Sequence, residues 1–444
     1  MTDLNTRTPT ADDATQRTSM KPAFSDDLFE RVLQRENLWA AWKRVRANKG
    51  AAGVDGMTIE AFPAWARSGH WTRVTAELAT RRYKPSPVRR VEIDKPDGGT
   101  RQLGIPTVSD RVIQQAIAQV LTPIFDPGFS NNSFGFRPNR NGQQAVKQVR
   151  DIIKEGRRFA VDVDLSKFFD RVNHDLLMTR LGDKVKDKRL LRLIKQYLRA
   201  GFVDNQFYGE SPEGVPQGGP LSPLLANIML DPLDKELEKR GHKFARYADD
   251  FTIVVKSQRA GDRVLRSMSQ YLQNRLKLVV NATKSRVVKT SKSQFLGFTF
   301  KAGRIQWHSK TLLKFKQRIR LLTNRNWGVS MKYQLFKTSQ FIRGWINYFG
   351  IANCYQLCVD LDHWIRRRVR MAYWRQWRKP RTKVRNLMSR GVHVRTAVAC
   401  GITSKGPWRS SKTPGINQAL SNAYLKSQGL YALRDGWIKL HYSQ

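Results

Sequence analysis

The stretch Arg246-Tyr247-Ala248-Asp249-Asp250-Phe251 lies between a polar turn, residues 239–243, and a β-branched run, residues 251–255. This order predicts a β-hairpin with the two adjacent aspartates at its tip. Neighbouring carboxylates repel each other, and burying them without a counter-ion is unfavourable. Solvated turns also contain such pairs. An exposed tip that carries both acids nevertheless favours a bound divalent cation, since Mg²⁺ is held by one or two carboxylates together with substrate phosphates.

A second acidic segment lies upstream. Alternation over residues 159–165 predicts a strand, and a helical pattern follows over residues 173–181. Asp164 falls where the strand ends, and Asp162 shares its face because side chains alternate along a strand. Two-metal phosphoryl transfer needs carboxylates from separate segments around ions roughly 4 Å apart, so Asp164 is the predicted third ligand. The alternative for these acids is a strand-end or capping role, which suits Asp170 best.

Asp164 followed by Tyr247-Ala248-Asp249-Asp250 resembles the catalytic core of reverse transcriptases. More closely, the chain resembles the bacterial group II intron-encoded reverse transcriptase/maturases, in order from about residue 30 to the C-terminus. Each motif alone is a weak match, whereas six in the right order are very specific. Besides the acidic residues, the motifs are Lys95-Pro-Asp-Gly-Gly-Thr-Arg101-Gln-Leu-Gly-Ile-Pro106, Ser133-Phe-Gly-Phe-Arg137-Pro-Asn-Arg140, Gly214-Val-Pro-Gln217-Gly218-Gly219-Pro220-Leu-Ser-Pro223, Phe295-Leu-Gly297-Phe-Thr-Phe300 and Gly344-Trp-Ile-Asn-Tyr-Phe349.

The resemblance implies an α+β chain with the right-hand polymerase fold. Fingers and palm would be followed by an all-α thumb, or maturase X domain, and by a small basic C-terminal region that binds nucleic acid. The expected parts are, in chain order, a disordered tail, fingers with palm, thumb and basic region, at residues 1–24, 25–300, 301–380 and 381–444. No HNH-type endonuclease is expected to follow.

The resemblance also implies the chemistry. A primer 3′-hydroxyl would attack the α-phosphate of a deoxynucleotide while an RNA strand is copied. Asp164, Asp249 and Asp250 would be the catalytic residues and would hold two Mg²⁺, for which Mn²⁺ is a possible substitute.

Five further residues would bind the incoming dNTP: Lys95, Arg101, Phe169, Gln217 and Lys284. Lys95 and Arg101 lie on a predicted hairpin and would hold the triphosphate, because Arg suits bidentate contact and Lys acts as a point charge. Phe169 would block a ribose 2′-hydroxyl, and Gln217 would orient the templating pair or nucleotide. The alternatives are an exposed cationic hairpin, core packing of Phe169 and an ordinary surface role for Lys284.

Seven residues are predicted to contact nucleic acid: Arg137, Arg140, Gly297, Arg366, Arg367, Arg368 and Arg370. Gly297 lies in a short strand pair, residues 295–300, that resembles the primer grip, where a missing side chain permits close approach of the primer backbone. The cluster from Arg366 onwards lies on a predicted thumb helix, residues 359–377.

The formal net charge of the chain is +44, which predicts a polyanionic partner. Residues 301–444 hold 29 Lys/Arg against 3 Asp/Glu, and eight of the twelve tryptophans lie there. Basic residues interleaved with aromatic ones suit contact with a nucleic-acid backbone and stacking on bases. A small helical core with a solvated basic face is the alternative, and both can hold together.

The three cysteines, Cys354, Cys358 and Cys400, include no Cys-x-x-Cys pair, so they support neither a zinc site nor a disulfide framework. Signal-peptide patterns and runs of eighteen apolar residues are absent from the sequence, so no membrane insertion is expected. The expected location is the bacterial cytoplasm, in association with nucleic acid.

The leading hypothesis is an RNA-directed DNA polymerase that also binds its group II intron RNA and promotes splicing and retrohoming. Its expected partners are the intron RNA, an RNA template, a DNA primer or target and dNTPs, with a homodimer as a further option. One alternative is an RNA-binding splicing factor without polymerase activity. The other is a domesticated reverse transcriptase that acts in defence or DNA repair.

Overall fold

The computed structural model describes residues 27–94, 98–204 and 207–442, so the predicted tail, residues 1–24, lies outside the described residues. The strands are β1 (Val88–Asp94), β2 (Thr100–Ile105), β3 (Phe159–Val163), β4 (Phe202–Asp204), β5 (Phe207–Gly209), β6 (Phe244–Tyr247), β7 (Asp250–Val255), β8 (Arg286–Lys289), β9 (Phe298–Lys301) and β10 (Arg304–Trp307). The α-helices are α1 (Leu28–Leu33), α2 (Arg35–Ala47), α3 (Phe62–Trp65), α4 (Trp71–Ala79), α5 (Val108–Phe125), α6 (Gly142–Lys154), α7 (His174–Lys184), α8 (Lys188–Arg199), α9 (Ser222–Lys239), α10 (Gln258–Leu276), α11 (Ser309–Leu322), α12 (Met331–Phe349), α13 (Tyr355–Gln376), α14 (Pro380–Met388), α15 (Val394–Gly401), α16 (Pro407–Ser410), α17 (Pro414–Ala419), α18 (Asn422–Ser427) and α19 (Leu433–Tyr442).

The described chain forms two compact units. The first contains the residues up to Phe129 together with Lys167–Met229, and the second contains Ser130–Ser166 together with the residues from Leu230 onwards. The predicted block of fingers and palm, residues 25–300, is therefore divided. The physical reason is strand pairing, because β3 pairs with β7 and β8 and so joins residues far along the chain.

A four-stranded sheet of order β2-β1-β4-β5 organises the first unit. Strands β1 and β2 form the antiparallel hairpin that the sequence predicted, and β4 pairs with β1 in parallel. The long helix α5 buries most of its apolar residues. Its cap is Thr107, which has extended backbone angles and whose hydroxyl accepts from the Asp110 N–H.

An antiparallel sheet of order β6-β7-β3-β8 organises the second unit. The register pairs Val163 with Phe251, so Asp164, one residue after β3, and Asp250, one residue before Phe251, lie at the same edge of this sheet. Beyond the end of β3, Leu165 and Val280 form an isolated antiparallel bridge.

Helices α11 to α19 follow in the second unit. Their buried residues form one hydrophobic core that includes Phe315 and Trp374 and continues through Leu387, Ile416 and Trp437. Apolar residues on both sides of the predicted boundary at residue 380 share this core, and the boundary itself stays a prediction. Within the described ranges, no helix is both long and apolar enough to cross a membrane.

Candidate active site

The paired aspartates lie at a two-residue hairpin turn between β6 and β7. Tyr247 pairs with Asp250 across the turn, which leaves Ala248 and Asp249 as the loop. Ala248 has a left-handed φ of 58°, as tight hairpin connections require. That conformation costs a non-glycine residue roughly 1–2 kcal/mol, so the surrounding structure must hold the turn in place.

A buried ion pair holds this turn. The Arg246 guanidinium donates from Nε to Asp234 Oδ1 at 2.8 Å and from Nη2 to Asp234 Oδ2 at 2.5 Å, and neither side chain is exposed. Arg246 Nη1 also donates to the Ala248 carbonyl at 2.9 Å. The pair therefore fixes the backbone immediately before Asp249. Sequence reasoning missed this role, because nothing in the sequence links Arg246 to an acid twelve residues earlier.

The loop that contains the Ser133–Arg140 motif supports the turn from another side. The Phe134 N–H donates to the Arg246 carbonyl at 2.9 Å, and the Arg246 N–H donates to the Asn132 carbonyl at 2.8 Å. A Cβ at Gly135 would collide with the backbone nitrogen of Ala248. Glycine is therefore needed here for contact within the protein itself.

Arg137 and Arg140 stabilise this loop. Arg137 is buried and donates from Nη1 to the carbonyls of Ser130 and Ser133, at 2.5 and 3.0 Å. Arg140 donates to the Asn131 carbonyl and to its side-chain oxygen, at 2.7 and 2.8 Å. These contacts favour a structural role for Arg137 over the predicted contact with nucleic acid, whereas Arg140 is only half-buried.

Asp164 is positioned through its backbone. Its N–H donates to Ser285 Oγ at 3.0 Å, and its carbonyl accepts from the Asn281 N–H at 2.8 Å. Lys284 is exposed in the turn between those two partners. The predicted role of Lys284 thus remains a prediction, although it adjoins a residue that holds Asp164.

Asp162 lies two residues before Asp164 on the same strand face. The hydroxyls of Thr252 and Ser293 donate to Asp162 Oδ1 at 3.0 and 2.8 Å. Burial raises the pKa of Asp162. Sequence reasoning placed Asp162 on this face but assigned it no role.

The pKa of Asp250 responds to its burial and to the other carboxylates of the site. Removal from bulk water raises the pKa of Asp250 to about 7, with further contributions from the charges of Asp162, Asp249 and Asp164. The Asp250 residue is still accessible to solvent. A hydrogen bond from the Leu296 backbone acts in the opposite direction.

This donor set suits a hard divalent cation, because oxygen ligands of like charge repel each other until a cation lies between them. Across the described residues, no three His, Cys, Asp or Glu side chains form a ready-made group that could hold a metal ion. Mg²⁺ usually retains several waters and substrate phosphates as ligands, so a full protein cage is not required. The residues fit the ion, and the two-ion site remains a prediction.

The Leu296–Gly297 turn is a second feature beside Asp250. Both residues have positive φ, 50° and 86°, and Phe295 and Phe298 exchange backbone hydrogen bonds at 3.0 and 2.9 Å. A Cβ at Gly297 would lie 3.0 Å from the ring of Phe349. The glycine is thus required by packing against α12, and its predicted contact with the primer stays a prediction.

The first unit contains a cavity of about 310 Å³ that is lined by Phe169 and Gln217. Arg101 Nε donates to Gln217 Oε1 at 2.6 Å, so two residues predicted to bind the nucleotide are in direct contact. Lys95 lies outside the described residues. Phe169 lines the cavity but is itself buried, with 7% of its surface exposed, and its neighbour Phe168 packs edge-on against it.

Comparison with known proteins shows the family. The model named reverse transcriptase (RNA-dependent DNA polymerase) matches residues 93–300, and the group II intron, maturase-specific domain model matches residues 312–391. The chain is 32% identical to Protein YkfC of Escherichia coli (strain K12) over 300 residues, which is 59% of this chain and 78% of that protein. The chain belongs to the group II intron reverse transcriptase/maturase family. Its enzyme class is therefore RNA-directed DNA polymerase.

Two further similarities accompany that match. This chain is 28% identical over 345 residues to the Group II intron-encoded protein LtrA of Lactococcus lactis subsp. cremoris. The aligned part is 62% of this chain and 57% of LtrA. A chain of a partial Cas6-RT-Cas1–Cas2 complex is 26% identical, with a TM-score of 0.37 over 55% of this chain and 42% of that chain.

In this reverse transcriptase/maturase, the predicted arginine cluster lies on α13, inside the matched maturase region. Arg367 donates to the Trp408 carbonyl at 3.1 Å and stacks on its ring at 3.6 Å. Arg368 Nε donates to Thr323 Oγ1 at 2.6 Å, and Arg370 Nε donates to the Leu420 carbonyl at 2.9 Å. Arg366 differs, since its guanidinium donates no hydrogen bond to another described residue.

Proposed function

We propose that this chain adds deoxynucleotides to a primer on an RNA template, with Asp164, Asp249 and Asp250 as ligands of two Mg²⁺ ions. The observation that supports the proposal is the position of Asp164 and Asp250 at the same end of the sheet, where burial and then the charges of the neighbouring carboxylates raise the pKa of Asp250 to about 7. When bound, the ions would supply charge neutralisation at the attacking and leaving oxygens, and Mn²⁺ could replace them.

The reaction would form a bond from the primer 3′-oxygen to the α-phosphorus and break the bond to pyrophosphate, while the hydroxyl proton is released. The contribution of the chain is positioning. Ser285 and Asn281 hold the backbone of Asp164, and Arg246 holds the turn that presents Asp249. Preorganised groups of this kind cost no rearrangement during the reaction.

Nucleotide selection would rest on residues of the first unit. Phe169 lines the cavity there, and its ring would clash with a ribose 2′-hydroxyl, which would select dNTPs over NTPs. Arg101, held by Gln217, would contact the triphosphate together with Lys95, and Lys284 would assist near Asp164.

Primer extension on an RNA template tests the proposal. We expect extension with dNTPs and Mg²⁺ that Asp249→Ala abolishes while RNA binding stays nearly intact. The matched control is Asp262→Ala, an exposed acid on α10 that should extend like wild type. Tight RNA binding without extension in the wild-type protein would instead support a splicing factor that lacks polymerase activity.

A second proposed function is binding of a group II intron RNA to promote splicing and retrohoming. Residues 363–434 hold 17 Lys/Arg and no Asp/Glu, and the maturase-specific match overlaps them. Such a charge would give RNA binding that weakens steeply with salt. The test is splicing of the cognate intron with and without the protein; absence of any flanking ribozyme would favour a role in defence or repair.

A further inference from the structure

The cavity that holds Phe169 has a wall made of backbone. The Gly214 N–H donates to the Val172 carbonyl at 2.8 Å, and the Val215 N–H donates to the Phe169 carbonyl at 2.6 Å. A Cβ at Gly214 would lie 2.9 Å from the Asp170 carbonyl oxygen and 3.0 Å from that of Phe169. The loop that begins at Gly214 therefore lies directly on the segment that carries Phe169, and its φ of 93° suits glycine.

One buried side chain holds this loop from behind. His174, the first residue of α7, is 4% exposed, and its Nε2 lies 2.7 Å from the Gly214 carbonyl oxygen. A carbonyl can only accept, so Nε2 carries the hydrogen. Nδ1 is buried and has no partner among the described residues. Burial lowers the pKa of His174 and so favours the neutral ring, in which the unpartnered Nδ1 carries no hydrogen.

We propose that His174 is a positioning residue for sugar discrimination: by holding the Gly214 carbonyl, it fixes the peptide at residues 214–215 against Phe169. The inference rests on the proposed function, in which Phe169 excludes the ribose 2′-hydroxyl. Exclusion by steric clash works only if the ring cannot retreat. Two backbone contacts join the loop to the Phe169 segment, and the His174 contact keeps the loop from moving away from it.

Removing the donor should therefore affect selectivity more than rate. We expect His174→Leu to lower the ratio of kcat/KM for dNTPs to kcat/KM for NTPs about tenfold, mainly because kcat/KM for NTPs rises. Misplacement of a group by about 1 Å can change rates a hundredfold. The value of kcat for dNTPs should change by less than about threefold. His174→Gln, which can place its Nε2 donor near the same carbonyl, should restore most of the ratio.

The matched control is Leu177→Ala, which removes a fully buried side chain from the same helix. It should lower the Tm at least as much as His174→Leu without changing selectivity. If His174→Leu does not fold, His174→Asn, which is polar but too short to reach the carbonyl, replaces it. Equal loss of selectivity in the Leu177→Ala variant, or no loss in the His174 variants, would overturn the inference.

A double-substitution cycle separates this inference from the proposed function. If Phe169→Ala leaves the NTP/dNTP preference unchanged, the assignment of Phe169 fails, and with it the basis of the inference. If Phe169→Ala relaxes selectivity, His174→Leu should add nothing to it, because both act through one ring. Additive effects of the two substitutions would show that His174 acts elsewhere.

Discussion

The hairpin of β6 and β7 and the arginine helix α13 are both dense in charge of one sign, but their charges meet different surroundings. At the hairpin, Asp250 faces the carboxylates of Asp162, Asp249 and Asp164, and its pKa rises to about 7. On α13, Arg367, Arg368 and Arg370 donate to neighbouring oxygen atoms. Like charges that face one another indicate a ligand site. Like charges that are hydrogen-bonded to backbone and hydroxyl oxygens indicate a structural role first.

The largest effect should come from removing one of the converging carboxylates. We expect Asp250→Asn to lower primer extension by about a thousandfold, because the loss of about 4 kcal/mol of charge stabilisation corresponds to that factor. In the absence of Mg²⁺ at pH 8, the same variant should have a Tm equal to or above that of the wild type, since one repelling charge is gone. Extension assays measure the loss of activity, and thermal unfolding measures the Tm. A large loss of Tm would mean that Asp250 is structural.

The support of the hairpin provides a second test. We expect Asp234→Ala to lower the free energy of unfolding by about 3–5 kcal/mol, because it leaves the buried Arg246 charge unpaired. The control is Glu236→Ala, which removes a surface pair with Arg240 and should cost less than about 1 kcal/mol. Urea denaturation gives both values. Equal stabilities would show that the pair does not hold the turn.

The arginine helix should divide into two kinds of residue. We expect Arg370→Ala to destabilise the protein by about 1–3 kcal/mol, because the Leu420 carbonyl loses its partner. Arg366→Ala should leave stability within about 0.5 kcal/mol and reduce the salt dependence of RNA binding by about one phosphate contact. RNA-binding titrations at several salt concentrations measure the salt dependence, and unfolding curves of both variants measure their stability. The reverse pattern would exchange the two roles.

Particular residues show how far sequence reasoning reached. The strands of the hairpin, Asp164 at the end of β3 and the β1–β2 hairpin follow from local patterns, and the structure has them as predicted. What local patterns could not supply is the partner of a side chain. Arg246 pairs with Asp234, and Arg370 reaches Leu420, because the fold brings distant segments together.

The same limit explains the boundary at residue 380. Pro380 correctly predicts that a helix ends before it, but it also begins α14. The apolar residues that follow it are few and spaced among basic residues, so the sequence suggests a separate basic region. Only their shared burial with Trp374 and Phe315 shows that they complete the thumb core.

The smallest predicted effect concerns pH and applies to the hairpin alone. The folded-state pKa of Asp250 is about 7, above the usual value of roughly 3.9, so the folded protein binds a proton that the unfolded chain does not hold. Stability without metal therefore falls as pH rises between these values and levels off above about 7. A bound divalent cation would replace that proton, so it should stabilise the protein more above pH 7 than below it.

Thermal unfolding with and without saturating Mg²⁺ measures this difference. We expect Mg²⁺ to raise the Tm by roughly 2–4 °C more at pH 8 than at pH 5.5, and we expect Asp250→Asn to abolish the difference. Asp162, whose pKa is also raised by burial, contributes to the pH dependence of both samples and largely cancels in the comparison. A Mg²⁺ effect that is independent of pH would mean that the cation binds away from Asp250. The carboxylates of the acidic cleft would then have a structural role, as the hydrogen-bonded arginines of α13 do.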